Sequence, residues 1–366
     1  MPAATLTDRD VRDRVRLIRS ANVGPIVFRQ LLARYGTAGK ALDALPELIR
    51  KGGYQGTAIC SADEAEDEIA AVEELGARLL HFDQSAYPPL LADVSTAPPV
   101  LTVLGKTDLL SVPGIGVVGA RNASAAGIRF TRQLSADLGA QGFAVVSGMA
   151  RGIDTAAHQA ALPTGTVAAM AGGMDVVYPP ENQALYESIA ATGAIVCEMP
   201  FGTRPQARHF PRRNRLISGL TLGLVVVEAA MKSGSLITAN YALEQGREVF
   251  AVPGSPLDPR CRGTNNLIRQ GAVLTEGVED VLNNLPDWQR RPSQPAQPSL
   301  KLEGDAADAD DAARGSLMEK LGPTPVDVDE LIRQSGLTPE VVLTILLELE
   351  LAGRLDRHSG NKVSLA

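Results

Sequence analysis

The sequence is poor in aromatic residues, cysteine and histidine, and each scarcity excludes a class of protein. Phe, Trp and Tyr make up 4% of 366 residues whereas hydrophobic residues make up 45%, so the core must consist mainly of Ala, Val, Leu and Ile. Cys60, Cys197 and Cys261 are far apart and odd in number, which argues against a disulfide framework. Four histidines without Cys/His spacing argue against a structural metal. We expect a cytoplasmic protein without metal or cofactor. No apolar run approaches the length of a membrane span, so no membrane association is expected.

The net charge of −7 hides a strong segregation of charge along the chain. No acidic residue stands between Glu198 and Glu228, and this segment contains Arg204, Arg208, Arg212, Arg213 and Arg215. Between Asp108 and Asp137 the charged residues are Arg121, Arg129 and Arg132, whereas residues 303–311 are acidic. Binding partners must therefore be inferred segment by segment.

Residues 1–85 are interpreted as an N-terminal helical domain with a connector. Two helical stretches flank the breaker at 22–25, where Gly24 precedes Pro25. This arrangement is similar to a helix-hairpin-helix or SAM-like unit, whose turn amides can contact a DNA phosphate. The turn lacks the Gly-x-Gly form, which favours a small helical packing module.

Residues 86–286 show the pattern of an α/β domain. Short β-branched runs alternate with helical stretches, at GIGVVGA, FAVVSGM, VAAMAGGM, AIVCEMP, LGLVVVEA, EVFAVPG and AVLTEG. Unalternated apolar strands separated by helices indicate a parallel sheet covered on both faces. Nearly every run ends in Gly, Ser or Pro, at the strand end where open α/β sheets bind ligands.

The match of Gly114, Gly116 and Gly119 to GxGxxG is rejected as a dinucleotide fingerprint. The predicted strand, 115–118, lies inside the match, whereas the fingerprint needs its glycines in the turn after the strand. No acidic residue follows the next strand, 143–146, to bind a ribose.

Three strand-to-helix loops have the composition of phosphate sites. Small residues allow close approach, arginine matches phosphate geometry, and free amides at a helix start favour anions. The candidate contacts are Gly119, Arg121 and Ser124, then Ser147, Gly148 and Arg151, then Lys232, Ser233, Gly234 and Ser235. For the first loop, an ordinary tight turn with a solvated Arg121 explains the residues equally well. Asp154 and His158 lie four apart on one helical face, but an Asp capping its helix is favoured over a catalytic pair.

The arginine-rich segment is the strongest indication of a polymer ligand. Arg212, Arg213 and Arg215 suit phosphates, Asn214 suits a base edge, and Phe210 suits stacking on an unpaired base. A solvated arginine run is the alternative. The absence of acidic residues within the segment favours single-stranded nucleic acid.

Residues 287–312 are Pro/Gln-rich and then acidic, which predicts a flexible linker. Residues 313–366 are typical of a winged helix, with a wing turning at 360–361. The second helix of this unit contains Glu340, Glu348 and Glu350 and no Lys or Arg. A helix that enters a DNA groove should be basic, so we expect this unit to make protein contacts.

Taken together, the motifs resemble the DprA/Smf family. They are VGARNAS (118–124), SGMARGIDTAAH (147–158), GGMDVVYPPEN (172–182), FPRRNRLISGL (210–220), VVEAAMKSGSLITA (226–239), AVPGS (251–255) and GTNNLIRQGA (263–272). The resemblance implies an extended Rossmann-like parallel sheet core between an N-terminal helical and a C-terminal winged-helix-like domain. It also implies that the protein binds and protects single-stranded DNA in natural transformation (competence) and DNA recombination. Loading of RecA, action as a homodimer and the absence of catalysis are implied in the same way.

The resemblance carries particular residues with it. Arg121, Ser147, Gly148, Arg213 to Arg215 and Lys232 to Ser235 become candidate DNA contacts, and Leu267 and Ile268 become candidate dimer contacts. A nucleotide phosphoribohydrolase-like enzyme is the alternative, with Glu198 or Glu228 as acid or base. The missing PGGxGT loop counts against it. A RecA-type ATPase is excluded because no Walker A motif is present.

Overall fold

A computed structural model describes residues 6–53, 56, 58–285, 309–358 and 360–366, which form two compact units. One unit comprises residues 68–285, and the other comprises 6–67 together with 309–366. The predicted linker at 287–312 lies, as far as residue 308, outside the described residues. In the described part of the chain, no helix has both the length and the apolarity needed to cross a membrane.

The N-terminal segment is helical, as the sequence predicted. Thr7 Oγ1 accepts a hydrogen bond from the Asp10 amide, and the Asp10 carboxylate accepts one from the Thr7 amide, which closes a capping box at the first helix. Pro25 occupies the first turn of the second helix. The helices are α1 Asp8–Arg19, α2 Pro25–Tyr35, α3 Ala38–Lys51 and α4 Ala62–Glu74.

Within the described residues, the larger unit contains one nine-stranded sheet, ordered β1-β2-β6-β5-β4-β3-β7-β8-β9. Its strands are β1 Arg78–His81, β2 Val100–Gly105, β3 Gly114–Val118, β4 Ala144–Ser147, β5 Thr166–Ala169, β6 Ala194–Cys197, β7 Gly223–Val226, β8 Glu248–Ala251 and β9 Val273–Leu274. Strands β3 to β9 are parallel, and each corresponds to one of the seven apolar runs. The predicted α/β fold is confirmed.

Strands β1 and β2 are antiparallel additions at one edge of the sheet, in a region that the sequence suggested was a connector. They were not predicted because β2 directly follows the proline pair at 98–99, and neither run leads into the glycine-rich loop that marks the other strands. The sheet is therefore mixed, with a parallel centre.

Helices cover both faces of the sheet. On one face α6 and α7 pack through Leu134 and Ile153 against Val117, and on the other α9 and α10 pack against Leu224 and Val226. Each fully buried Leu, Ile or Val contributes about 1.5–3 kcal/mol. The helices are α5 Pro89–Ala92, α6 Ala125–Ala140, α7 Ile153–Ala161, α8 Gln183–Thr192, α9 His209–Gly219, α10 Gly234–Glu244, α11 Arg262–Arg269 and α12 Val278–Asn284.

The order of the parallel strands determines where a ligand can bind. The chain proceeds from β3 outward to β6, and then returns to the other side of β3 to form β7. The loops that follow β3 and β7 leave on opposite faces and open a crevice at their carboxyl ends. The predicted phosphate loops lie at this carboxyl edge.

The C-terminal segment is a winged helix, as expected. Its elements are α13 Asp311–Met318, β10 Val326–Asp327, α14 Val328–Ser335, α15 Pro339–Leu351, β11 Leu355–His358 and β12 Lys362–Leu365. Thr338 caps α15, and β11 pairs antiparallel with β12 to form the wing.

Candidate functional site

Hydrogen bonds hold the loops at the carboxyl edge against one another. Ser235 Oγ, at the start of α10, donates to the carbonyl of Gly119 at 2.9 Å. Ser147 Oγ is fully buried and donates to the carbonyl of Val117 at 2.6 Å. The loops after β3, β4 and β7 therefore form one pre-organised surface, and Ser147 and Ser235 act as its internal supports.

Gly119 packs against protein in this structure. A Cβ at this position would lie 2.6 Å from the Ile153 side chain. Gly152, with a φ of +77°, allows an equally close approach to the carbonyl of Ala120. Both glycines bring α7 against the first loop.

The N-terminus of α6 already holds an anion from the protein itself. The buried Glu228 carboxylate accepts hydrogen bonds from the Ser124 amide at 2.9 Å and from Ser124 Oγ at 2.5 Å. Ser124 Oγ in turn accepts from the Gly127 amide and caps the helix. The Glu228 carboxylate therefore occupies the N-terminus of α6, where the sequence suggested that a phosphate would bind, and Ser124 is hydrogen-bonded to it.

Arg213 lies directly over Gly148. A Cβ on Gly148 would fall 1.3 Å from Arg213 Nη1, so the absence of a side chain makes room for the guanidinium. Arg213 is 5% exposed, and its Nε and Nη1 find no hydrogen-bond partner among the described residues. Burial lowers the pKa of Arg213 to about 10, opposed by the charge of Asp154. The group stays cationic at neutral pH.

Asp154 and His158 have different hydrogen-bond partners. Asp154 Oδ2 accepts from the amides of Gly148 and Ala150, and burial raises its pKa. His158 Nδ1 contacts Thr166 Oγ1 at 2.7 Å, and this hydroxyl donates to the carbonyl of Val145. The imidazole must therefore donate through Nδ1–H. Burial lowers its pKa to about 3. Both side chains shape the β4 loop and its surroundings.

Asn214 ties α9 to α10. Its Nδ2 donates to the carbonyl of Gly234 at 3.2 Å, and the side chain is buried. Ser233 caps α10, accepting from the Ser235 amide at 3.2 Å. Lys232 precedes this cap and is exposed. Lys232 is therefore accessible to a ligand.

Two arginines of the basic segment are paired with Glu198, which lies just outside the segment in sequence. Arg212 Nε lies 3.0 Å from Glu198 Oε1, and Arg215 forms a buried ion pair with the other carboxylate oxygen. Arg215 also donates to the carbonyl of Thr96. The apparent lack of acidic balance holds along the sequence only, because the fold brings Glu198 to these arginines. Arg215 is a structural residue in this arrangement.

Arg121, Phe210 and Tyr178 form an aromatic and cationic cluster. The Arg121 guanidinium carbon lies 5.1 Å from the centroid of the Phe210 ring. The rings of Phe210 and Tyr178 are 5.7 Å apart at an angle of 59°, and Tyr178 is 46% exposed. Sequence reasoning missed Tyr178, although its position in the loop after β5 placed it at the carboxyl edge.

Exposed cations accompany this cluster in the neighbouring loops. Arg151 is 62% exposed in its side chain and lies 3.6 Å from the exposed Glu181. Arg121, Arg204 and Arg208 are also exposed. Together with Lys232, Tyr178 and Phe210 we call these residues the basic rim. The loops after β3, β4, β5, β6 and β7 each contribute to it.

The candidate dimer contacts lie on α11. Leu267 is 5% exposed and belongs to the core, whereas Ile268 is half-buried and packs against that core. Leu267 is therefore committed to the fold of its own chain.

Three family models match the chain. The model for DNA recombination-mediator protein A covers residues 78–286, a DprA-like N-terminal HHH domain covers 8–71, and a DprA winged helix domain covers 301–361. The chain is 38% identical to Protein Smf of Escherichia coli over 308 residues, covering 82% of this chain and 80% of that protein. It is 43% identical to DNA processing protein DprA of Bacillus subtilis over 222 residues, covering 60% and 75%.

Solved structures of DNA processing protein A from two other organisms resemble the chain. The DNA processing protein A of Streptococcus pneumoniae superimposes with a TM-score of 0.61 at 33% identity, covering 75% of this chain and 96% of that one. The DNA processing protein A of Helicobacter pylori, described for its single-stranded DNA binding mode, has a TM-score of 0.53 at 28% identity. That match covers 57% of this chain and 95% of the other.

Proposed function

The chain belongs to the DNA recombination-mediator protein A family, and from that premise we propose that it binds single-stranded DNA along the basic rim. The observation that carries this proposal is the cluster of Arg121, Phe210 and Tyr178 beside exposed cations from neighbouring loops. Cations bind the phosphate backbone, and aromatic rings bind bases that are free to stack.

The same cluster favours single strands over duplex DNA. Bases in a duplex are stacked on each other, so Phe210 and Tyr178 would have to unstack them before making contact. Each base stacked on an aromatic side chain contributes about 1–3 kcal/mol in a single strand. A duplex can therefore contact the cations of the basic rim, but its bases cannot stack on Phe210 and Tyr178.

The proposed DNA surface is narrower than the sequence suggested. We leave Arg215 and Ser124 out of the proposed surface because Glu198 and Glu228 already engage their side chains. Ser147, Asn214 and Ser235 support the loops from within. Arg213 and Gly148 form the buried floor beneath the rim, where the guanidinium contributes positive charge.

The biological role that we propose follows the relatives. The protein protects incoming single-stranded DNA in the cytoplasm during natural transformation, and loads RecA onto it. It acts as a homodimer and performs no catalysis. Relatives named DNA processing protein DprA, and one described for single-stranded DNA binding, support this role.

A nucleotide phosphoribohydrolase-like activity is the alternative function. Its acid or base candidates, Glu198 and Glu228, are both buried and engaged by Arg212, Arg215 and Ser124. Nothing in this arrangement specifically favours hydrolysis. Incubation with nucleoside monophosphates, followed by chromatography for free base, tests it, and turnover would replace the binding proposal.

A gel-shift comparison tests the proposal itself. One oligonucleotide is offered as a single strand and, annealed to its complement, as a duplex. We expect the single strand to shift at protein concentrations at least tenfold lower. Equal affinity for both forms would leave Phe210 and Tyr178 without a role.

A further inference from the structure

Helix α15 of the winged helix is apolar on two faces. Val342, Ile345, Leu346 and Leu349 belong to the winged-helix core. Leu347 and Leu351 lie outside that cluster, four residues apart, and are 2% and 1% exposed. A helix that is apolar on both faces needs a packing partner on each.

The second face of α15 is covered by the N-terminal helices of the same compact unit, chiefly α3 with a contribution from α2. The two elements approach closely at Gly52, just after α3. A Cβ there would lie 2.1 Å from the carbonyl oxygen of Glu348 and 2.7 Å from the Cβ of Ala352. Only a glycine allows backbone and helix to meet at this distance.

Polar contacts surround this apolar contact. Asn22 Nδ2 donates to the carbonyl of Leu351 at 3.0 Å, and Arg354 Nη1 donates to the carbonyl of Gly52 at 3.2 Å. The bond from Asn22 engages a free carbonyl at the end of α15, where backbone acceptors lack helical partners. The contact is therefore specific in its geometry as well as apolar.

Helix α15 is the second helix of a helix-turn-helix, the element that enters the major groove in DNA-binding members of this fold class. Here two of its three acidic side chains are paired within the winged helix, Glu348 with Arg314 at 2.8 Å and Glu350 with Arg357 at 2.6 Å. We propose that the winged helix is an intramolecular docking module. Its recognition helix binds the N-terminal helices of its own chain and does not read duplex DNA.

The proposal is tested on the full-length protein by hydrogen–deuterium exchange of three forms. Gly52 has a φ of −69°, so Gly52→Ala adds a methyl group at the contact without straining the backbone. Gly24→Ala is the matched control, because a Cβ at Gly24 has no neighbour within 4 Å. We expect amides of residues 347–352 and of the last turn of α3 to exchange at least tenfold faster in Gly52→Ala. Those of α1 and of the β11–β12 wing should keep wild-type rates, as should all sites in Gly24→Ala.

Unchanged protection of α15 in Gly52→Ala would overturn the proposal. If Gly52→Ala also loses protection in α1, Asn22→Ala decides in the same assay, because it deletes the bond to Leu351 without adding volume. Protection of α15 that disappears on dilution would assign the contact to a second copy and overturn the intramolecular docking. If a duplex oligonucleotide protects additional amides of α15 from exchange, the claim that this helix does not read duplex DNA would be overturned.

Discussion

Arg121 lies over the face of Phe210, with its guanidinium carbon 5.1 Å from the ring centroid, although 89 positions separate them in sequence. The loop after β3 supplies the cation and the start of α9 supplies the ring. This cation–π contact holds both groups at the carboxyl edge of the sheet before any ligand binds. A nucleotide can then meet a charge and a stacking surface together.

Arg121→Ala should weaken single-strand binding about tenfold at moderate salt, because one phosphate contact is lost and Phe210 loses its neighbour. The loss should be similar for all base compositions, since phosphate contacts carry no sequence information. Fluorescence anisotropy with oligo(dT) and a mixed-sequence strand measures it. Arg78→Ala is the control, since Arg78 is an exposed arginine on the edge strand β1. An equal loss in both variants would show that general charge accounts for binding.

Phe210→Leu should reduce affinity by about 1–3 kcal/mol while leaving the dependence on salt unchanged, because stacking releases no counterions. The same anisotropy titration, repeated at several salt concentrations, separates the two quantities. A smaller salt slope with unchanged affinity at low salt would contradict a stacking role.

Arg215→Ala should act on stability. Removing it takes one charged partner from the buried Glu198 carboxylate and leaves Arg212 beside it, and breaking a buried pair costs about 3–5 kcal/mol. Urea unfolding should show the loss, and the folded fraction should bind DNA with the wild-type salt slope. Arg204→Ala should have the opposite effects, because Arg204 is exposed on the basic rim: stability should be unchanged and single-strand binding should be weaker. A stable Arg215→Ala protein with weaker binding would restore Arg215 to the DNA surface.

His158 should make the larger unit less stable in acid. The imidazole has its ordinary pKa near 6.5 when unfolded and a pKa of about 3 when folded, because burial disfavours its charge. Between these values the unfolded chain binds a proton that the folded chain does not. The free energy of unfolding therefore falls as pH drops below 6.5, by up to about 1.4 kcal/mol per unit. The raised pKa of Asp154 acts in the opposite sense.

His158→Asn isolates this contribution, because an amide can donate to Thr166 without titrating and Asp154 stays in place. Urea unfolding at pH 6.5, 5.5 and 4.5 gives the comparison, with hydrogen exchange in β4 and β5 reporting on this unit. The difference in stability between wild type and variant should shrink steadily toward low pH. A constant difference would mean that His158 titrates normally in the fold.

Deleting residues 313–366 should leave most of the single-strand affinity intact, because the basic rim belongs to the other unit. Anisotropy on the truncated chain measures it. A loss of tenfold or more would place DNA contacts in the winged helix.

Local patterns predicted the parallel part of the fold well. Seven apolar runs, from 114–120 to 272–277, each became a strand because β-branched residues and the following glycine-rich loop point to the same structure. Strands β1 and β2 lacked that agreement between pattern and loop. The GxGxxG match was rejected correctly, since β3 spans Gly114–Val118 and lies inside it.

The site could be predicted only in outline, because long-range pairing decides what each polar residue does. Glu228 reaches Ser124 across 104 positions and Glu198 reaches Arg215 across 17, and no local pattern indicates either contact. Gly148 signalled a close approach, but the sequence could not show that the approaching group is Arg213. Leu267 lies on the side of the amphipathic helix α11 that packs into the core of its own chain, and the sequence alone could not show which partner this side would contact.

The salt dependence of single-strand binding tests the central claim most directly. The basic rim offers five cations, Arg121, Arg151, Arg204, Arg208 and Lys232, and each phosphate contact on a single strand contributes about 0.7 to the slope. Plotted as log affinity against log salt concentration, anisotropy titrations of the wild-type protein should give a slope of about −3 to −4. A flat response would contradict the account, because a rim of arginine and lysine cannot bind a polyanion without releasing counterions.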